Sequence, residues 1–390
     1  MNDKLNVWII CGGRSAEHEV SLRSARSIAA ALDRGKYDLH FVTIAKDGKW
    51  VSTTALEGRM VPPLRDASPH WEGAAGVPAV SEGWGALVAR ISPAEPDRVA
   101  HRAQAGMVAF PVLHGPYGED GTIQGLFEML DIPYVGSGVL GSALAMDKAK
   151  TKEMLFHNGI PVPHWVSLGP DRDDARNRRI RDIVWTVIGY PCFVKPANLG
   201  SSIGVTKVHN CEELEEAIEA ARNYDTKVVI EEGIDAREIE CSVLGNGEAL
   251  ASLPGEVIPG REFYDYDAKY CDDTTELVIP ADLTAEQVKR VQHFALRAFH
   301  TLECYGMARV DFFLEKRTGR VLVNELNTIP GFTEVSMYPK LWEATGIPYP
   351  ELLDRLIELA LERYEEKRRL SVDRDCFPPR AFSESIVSER

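Results

Sequence analysis

Met307-Ala308-Arg309-Val310-Asp311-Phe312-Phe313-Leu314-Glu315 and Arg320-Val321-Leu322-Val323-Asn324-Glu325-Leu326-Asn327 read as two β-strands, with Arg317-Thr318-Gly319 between them. Both runs alternate polar and apolar residues and are rich in Val, Leu and Phe, as strands with one buried face are. A three-residue hairpin loop with Gly at its left-handed position fits the connection. That loop pairs Lys316 with Arg320, which sets Asp311 opposite Glu325 and Arg309 opposite Asn327. Side chains two apart share a face, so a guanidinium, two carboxylates and an amide converge on one patch. The carboxylates repel each other unless a cation neutralises them. Mg2+ held by a couple of carboxylates plus nucleotide phosphates is the commonest arrangement of this kind, which makes Asp311, Glu325 and Asn327 candidate metal ligands. Taken alone, the patch reads equally well as a solvated hairpin with cross-strand ion pairs.

The surrounding chain has 390 residues, more than one ordinary core, so two or three domains are expected. Its net charge of −15 and the lack of a basic run argue against a nucleic-acid partner. Seven scattered cysteines without a CxxC motif or Cys/His cluster fit a reducing, cytoplasmic setting and argue against a disulfide framework or structural zinc. Leu5–Cys11 runs directly into Gly12-Gly13 and reads as a first strand, not a signal core. No apolar stretch reaches the length of a membrane span, so no membrane association is expected.

The organisation is α/β followed by α+β. An N-terminal open α/β domain (1–141) begins with the strand Leu5–Cys11, a glycine turn, the helix Val20–Leu32 and the strand His40–Ile44. Residues 52–104, rich in Pro, Gly and Ala, read as an irregular insertion. A strand at Gly106–Leu113 then delivers the loop His114-Gly115-Pro116-Tyr117-Gly118-Glu119-Asp120-Gly121 to the helix Thr122–Leu130. A central domain (142–244) opens with a helix at Ser142–His157 and holds strands at Ile188–Val194, Gly204–His209, Val228–Glu232 and Glu238–Leu244. The C-terminal domain (245–367) carries a capped helix from Thr284 beside the hairpin, and a polar tail follows (368–390).

Two nucleotide motifs can be weighed. Gly136-Ser137-Gly138-Val139-Leu140-Gly141 matches G-x-G-x-x-G, but the acidic residue expected at the end of the following strand is missing from Gly159–Val166, so a dinucleotide cofactor is disfavoured. A P-loop is absent. In its place Lys195 ends a strand and Gly200-Ser201-Ser202-Ile203-Gly204 follows, giving a cation and a flexible loop whose amides, Ser202 among them, can close over phosphates. Lys148 adds a second cation. Glu231 and Glu238, read as lying on neighbouring strands, suit an adenine amino group and ribose hydroxyls.

With these residues in view the sequence resembles the D-alanine–D-alanine ligases of the ATP-grasp superfamily over about residues 5–365. The resemblance rests on Gly12-Gly13-Arg14-Ser15-Ala16-Glu17-His18-Glu19-Val20-Ser21, His114-Gly115 with Gly118-Glu119-Asp120-Gly121, Met146-Asp147-Lys148, and Lys195-Pro196 with Gly200–Gly204. Tyr264-Asp265-Tyr266 with Ala268-Lys269-Tyr270, and Glu325-Leu326-Asn327-Thr328-Ile329-Pro330-Gly331, complete it.

The resemblance implies an ATP-grasp fold behind the N-terminal domain and a homodimer using ATP, two D-alanines and two Mg2+ ions, for which Mn2+ can substitute. In this family the carboxylate of one D-alanine attacks the γ-phosphate of ATP, and the amine of a second displaces phosphate from the acyl phosphate. It further implies that Glu17 binds the first ammonium with His114 nearby, and that Ser336 and Met337 receive the second carboxylate. Lys269 joins Lys148 and Lys195 on phosphate, while Arg309 and the Gly331 amide stabilise the acyl oxyanion. Ser201 and Tyr270 close the site onto Glu17. A neutral phenol at Tyr270 fits an amine nucleophile, so the dipeptide is expected over D-alanyl-D-lactate. Ligation to D-serine or D-lactate, or a catalytically silent nucleotide-binding relative, are the alternatives.

Overall fold

The computed structural model describes residues 4–53, 106–170, 174–258 and 275–370. Lys269, Tyr270, almost all of the 52–104 insertion and nearly all of the 368–390 tail lie outside the described residues.

The first sheet contains β1 (Leu5–Gly12), β2 (Tyr37–Ile44), β3 (Trp50–Thr53) and β4 (Met107–Pro111), in the order β3-β2-β1-β4. Central β1 is parallel to β2 and β4, and β3 closes one edge antiparallel. Parallel strands need cover on both faces. On one face Val7, Ile9, Val108 and Phe110 pack with Ala25 and Ile28 of the helix His18–Ala31 and with Tyr338, Trp342, Leu353 and Ile357 of two C-terminal helices. On the other, Ile10, Val42 and Ala109 meet Ile123 and Phe127 of the helix Thr122–Met129. The chain's two ends thus share one core, which brings the N-terminal loops to the hairpin.

A second, antiparallel sheet holds β5 (Trp165–Leu168), β6 (Cys192–Pro196), β7 (Thr206–Val208) and β8 (Val228–Glu232), ordered β5-β8-β6-β7. A third contains β9 (Ala236–Gly245), β10 (Leu250–Ala251), β11 (Gly255–Ile258), β12 (Glu276–Val278), β13 (Gly306–Glu315) and β14 (Val321–Asn327), with the path β12-β11-β9-β13-β14 and β10 paired to β9.

Three expectations about element boundaries and sheet membership need correction. The strand at 238–244 belongs to the third sheet, so Glu231 and Glu238 lie on successive strands of different sheets. The cause is the length of β13, which pairs with β9 from Gly306↔Gly245 to Glu315↔Ala236 and with it buries Ile239, Cys241 and Val243. A division at 233–235 keeps both sheets whole, whereas one at 244 cuts β9. The helix expected at Ser142–His157 is two helices, Val139–Met146 and Lys148–His157, because Asp147 leaves helical geometry and accepts from the amides of Ala149 and Lys150 as an N-cap. Finally, Val184–Ile188 is a π-helical turn and the following strand starts only at Cys192.

The hairpin has the expected pairing at the site and a different loop. Arg309 faces Asn327 and Asp311 faces Glu325, but beyond them Phe312 faces Val323 and Leu314 faces Val321. Glu315 and Arg320 close the turn around Lys316–Gly319, four residues with Gly319 at φ +70. Asn324 is the extra residue of a β-bulge that absorbs this difference. The bulge also inverts side-chain alternation: Val321 and Val323 point into the core before it and Leu326 after it. Glu325 and Asn327 thereby turn to the other face, with Arg309 and Asp311.

The G-x-G-x-x-G segment serves packing. A Cβ at Gly141 would stand 2.4 Å from the carbonyl oxygen of Glu303, so this glycine admits close backbone contact with the Leu302–Glu303 turn.

Candidate active site

On the polar face of β13, Arg309 holds Asp311 in a two-pronged pair, Nε to Oδ1 and Nη2 to Oδ2, both at 2.7 Å. Its Nε also lies 3.0 Å from Glu240 Oε2, on β9 directly across from Asp311. Burial opposes the Arg309 charge, yet Asp311 and Glu240 hold its pKa well above the ordinary value. Asn327 donates Nδ2 to Asp311 Oδ2 at 3.1 Å, and Glu325 Oε2 lies 3.5 Å from Lys148 Nζ. Among the described residues no group of three His, Cys, Asp or Glu side chains forms an all-protein metal cage. Two carboxylates and an amide are hard oxygen donors, too few to satisfy Mg2+ alone, and they fit an ion completed by phosphate oxygens and water.

Behind this face lies a row of lysines and one glutamate. Lys148 opens the helix Lys148–His157 and donates Nζ to the carbonyl of Leu199 at 2.6 Å. One turn on, fully buried Lys152 sits 2.7 Å from Glu231 Oε2. Glu231 Oε1 accepts from Lys195 Nζ at 2.9 Å. Burial would raise the Glu231 pKa, but the two ammonium groups outweigh it and hold the carboxyl below its usual range. Lys195 and Glu231 occupy the face of the second sheet opposite its helices, while Val194 and Ile230 fill the core. Glu238 is on the polar face of β9 two residues from Glu240, so the residues expected to bind a nucleotide span two sheets.

Glu17 precedes the helix His18–Ala31 and is almost fully buried. Ser201 donates Oγ to its Oε1 at 2.5 Å across 184 residues of sequence. Ser201 and Ser202 have φ of +51 and +58, a left-handed conformation that costs roughly 1–2 kcal/mol per residue and must be held by its surroundings. The two glycines flanking Glu17 are set by space: a Cβ would stand 3.0 Å from its Oε2 at Gly115 and 3.2 Å at Gly200.

His114 and Glu119 lock the N-terminal loop to the segment after β14. His114 Nδ1 bonds the carbonyl of Ile329 at 2.9 Å and its Nε2 lies 3.4 Å from Ser24 Oγ, which accepts from the amide of Phe332. Burial lowers the His114 pKa against the pull of Glu17, leaving the ring neutral at pH 7. Glu119 accepts from the amides of Gly115 at 2.7 Å and Ile329 at 3.1 Å. Burial, with the charge of Glu17, pushes its pKa up to about 8. Because the folded value exceeds the unfolded one, the stability this group contributes is complete below about pH 4.5 and is lost as pH rises towards 8. Glu119→Gln is therefore expected to remove a loss of up to about 1.4 kcal/mol per pH unit over this window. Urea unfolding of both proteins at several pH values checks this; parallel profiles would contradict it.

The loop that follows carries Gly331 against Ser336, whose Oγ a Cβ at 331 would approach to 2.7 Å. Ser336 Oγ also accepts from the amide of Thr333 at 3.0 Å and precedes the helix Met337–Thr345. The Met337 side chain is buried with Val257 and Leu341, so its backbone amide is the group it can offer.

Residues 6–137 match the family model described as the D-ala D-ala ligase N-terminus, and residues 154–358 match the one described as its C-terminus. The chain belongs to the D-alanine–D-alanine ligase family. It is 48% identical to a D-alanine–D-alanine ligase of Heliobacterium modesticaldum over 373 residues, 95% of this chain and 98% of that one. Among solved structures, the D-alanine–D-alanine ligase of Coxiella burnetii is 36% identical with a TM-score of 0.73, covering 94% of this chain and 97% of its own. The VanG D-Ala:D-Ser ligase of Enterococcus faecalis is 31% identical with a TM-score of 0.72, covering 92% and 99%.

In this member of the ligase family, the structure brings Arg309, Asp311, Glu325, Asn327 and Lys148 together on one side, and Glu17 with Ser201 on another. His114, Gly331, Ser336 and the Met337 amide lie on or against the loop after β14. Sequence reading missed Glu119, Glu240 and Lys152 as site-shaping groups. Glu240 could have been found from its place two residues from Glu238 on a strand, and Lys152 from its i,i+4 relation to Lys148.

Proposed function

We propose that the protein is an ADP-forming ligase on an ATP-grasp fold that joins two D-alanines into D-alanyl-D-alanine, through a D-alanyl phosphate, for peptidoglycan precursor synthesis. The observation that carries this reading is the single polar face of β9, β13 and β14, where Arg309, Asp311, Glu325 and Asn327 meet Lys148 within a chain matched by the family over both halves. Two facing sheets bridged by lysines suit a nucleotide held between them.

Asp311, Glu325 and Asn327 would hold the metal, Asn327 through its amide oxygen. Mg2+, as two ions or with Mn2+ in their place, would supply charge neutralisation for the phosphate oxygens. Lys148 and Lys195, with Lys269 by resemblance, balance the remaining phosphate charge, and the Ser202 loop covers it. Glu238 accepts from the ribose, and Glu231 takes the adenine amino group with lone pairs its lysines leave over. Glu17 receives the first ammonium, with His114 orienting the loop beside it. Arg309 and the Gly331 amide meet the oxyanion that forms when the second amine attacks. The amides of Ser336 and Met337, at a helix start, suit the second carboxylate. Contact of Ser201 with Glu17, with Tyr270 joining by resemblance, excludes the water that would hydrolyse the acyl phosphate.

Ser201→Ala removes a hydrogen bond to a carboxylate, worth about 1.5–3 kcal/mol. The expected outcome is a rise of roughly tenfold or more in KM for D-alanine with KM for ATP unchanged; steady-state kinetics with each substrate varied reads both. A cytoplasmic homodimer is proposed on the resemblance, and sedimentation at micromolar concentration checks the dimer.

The function is tested by phosphate release from ATP with D-alanine, L-alanine, D-serine or D-lactate, the products identified by mass. D-alanine should give the dipeptide, with D-lactate a poor second substrate at neutral pH. Equal release without any amino acid would overturn the assignment.

A further inference from the structure

Lys152 has no part in the chemistry above, yet among the described residues it is the most deeply enclosed lysine, with a side chain 0% exposed. Burying an ammonium is costly unless something specific is gained. Its Nζ has two partners on different sheets: Glu231 Oε2 of β8 at 2.7 Å, and the carbonyl oxygen of Asn324 in β14 at 3.3 Å. Asn324 is the bulge residue, skipped in the pairing of β13 with β14. A bulge residue lies outside the ladder hydrogen bonds, so its conformation depends on other contacts. The Asn324 Oδ1 is itself buried without a hydrogen-bond partner, which leaves the backbone carbonyl as the handle by which the bulge is gripped.

The bulge decides which way Glu325 points. Without it, alternation from Val321 and Val323 would send Glu325 into the core and Leu326 to the polar face. The other partner of Lys152, Glu231, also holds Lys195. One ammonium group thus touches the residue that sets the metal carboxylate and the carboxylate that sets a phosphate lysine. Lys148, one helical turn earlier, faces Glu325 itself, so a single rigid helix carries both contacts.

We propose that Lys152 is a positioning residue: by gripping the Asn324 carbonyl and Glu231 together, it fixes the β14 bulge that presents Glu325 and Asn327 to the metal and keeps this strand in register with Lys195. The inference rests on the ligase reading for the roles of Glu325 and Lys195, while the grip itself is a property of the ligand-free chain.

The test is Lys152→Met, which keeps the stem and removes the charge. In the ligand-free protein, hydrogen exchange of a peptide covering Val321–Asn327 should accelerate at least about tenfold, while a peptide from β9 keeps its protection. With ADP present, Mn2+ binding followed by electron paramagnetic resonance should weaken by about tenfold, and the Mg2+ concentration for half-maximal turnover should rise in step. Lys152→Met/Glu231→Gln removes the buried carboxylate that the single variant leaves with Lys195 as its counter-ion and that could unfold it. Compared with Glu231→Gln alone, it should show the same loosened Val321–Asn327 segment and weakened Mn2+ binding at a nearly unchanged melting temperature. Unchanged exchange at Val321–Asn327 and unchanged Mn2+ affinity in either folded variant would overturn the proposal. Failure of the ligase reading is a separate result, wild-type protein that binds Mn2+ with ADP but makes no dipeptide.

Discussion

Arg309→Ala is expected to lower turnover about a thousandfold, the effect of losing the proposed oxyanion donor, worth roughly 3–4 kcal/mol. The structure adds a second consequence. Arg309 is the shared counter-ion of Asp311 and Glu240, bonded to the first through both Nε and Nη2 and 3.0 Å from the second. Removing it leaves two mostly buried carboxylates facing each other, and breaking a buried pair costs about 3–5 kcal/mol. The variant should therefore melt lower as well as turn over more slowly. Arg309→Lys separates the two effects: it keeps a charge between the carboxylates but cannot reproduce the planar fork, so stability should recover in large part while turnover stays low. Chemical denaturation and single-turnover kinetics on both variants check this. Activity within tenfold of wild type in Arg309→Ala would contradict the role.

Glu325→Gln should have the next-largest effect, through a different step. The side chain is one-fifth exposed and pairs with Lys148 at 3.5 Å, so the isosteric amide should be tolerated by the fold. What it loses is one of the two carboxylates proposed to hold the metal. Metal stabilisation of a transferring phosphoryl group is worth several kcal/mol, and losing about 3 kcal/mol slows the step roughly a hundredfold. The half-saturating Mg2+ concentration should rise together with this loss, because the protein then offers the ion one anionic ligand fewer. A variant that loses rate at unchanged Mg2+ dependence would show that Glu325 acts by orienting Lys148 and not by holding metal.

Much of this site was legible in the sequence because its residues sit on alternating strands and glycine-rich loops, where residue type and spacing fix direction. The hairpin shows the limit. A three-residue loop with no bulge gives the right facing pairs, and so does the actual four-residue loop with a bulge at Asn324. Pairing beside the site was thus read correctly while the turn was not, since a single unpaired residue leaves no mark in a run such as Val321-Leu322-Val323-Asn324-Glu325. The division between the second and third sheets was missed because a strand's partner is set by long-range pairing, and β9 finds β13 across more than sixty residues of chain. Lys152 was harder to see for a related reason: in Lys148-Ala149-Lys150-Thr151-Lys152 only its i,i+4 spacing from Lys148 sets the buried ammonium apart from exposed Lys150. Glu119 stood in a loop already singled out, but its burial depends on the Ile329 amide arriving from the other end of the chain.

The claim that this face activates a carboxylate by phosphoryl transfer before an amine attacks is tested most directly by isotope. D-alanine labelled with 18O in both carboxyl oxygens is turned over with unlabelled ATP, and the released phosphate is analysed by mass. If the carboxylate of the first D-alanine attacks the γ-phosphate and the second amine then expels phosphate, one 18O passes into inorganic phosphate for every dipeptide formed. Dipeptide formed together with unlabelled phosphate would contradict the account.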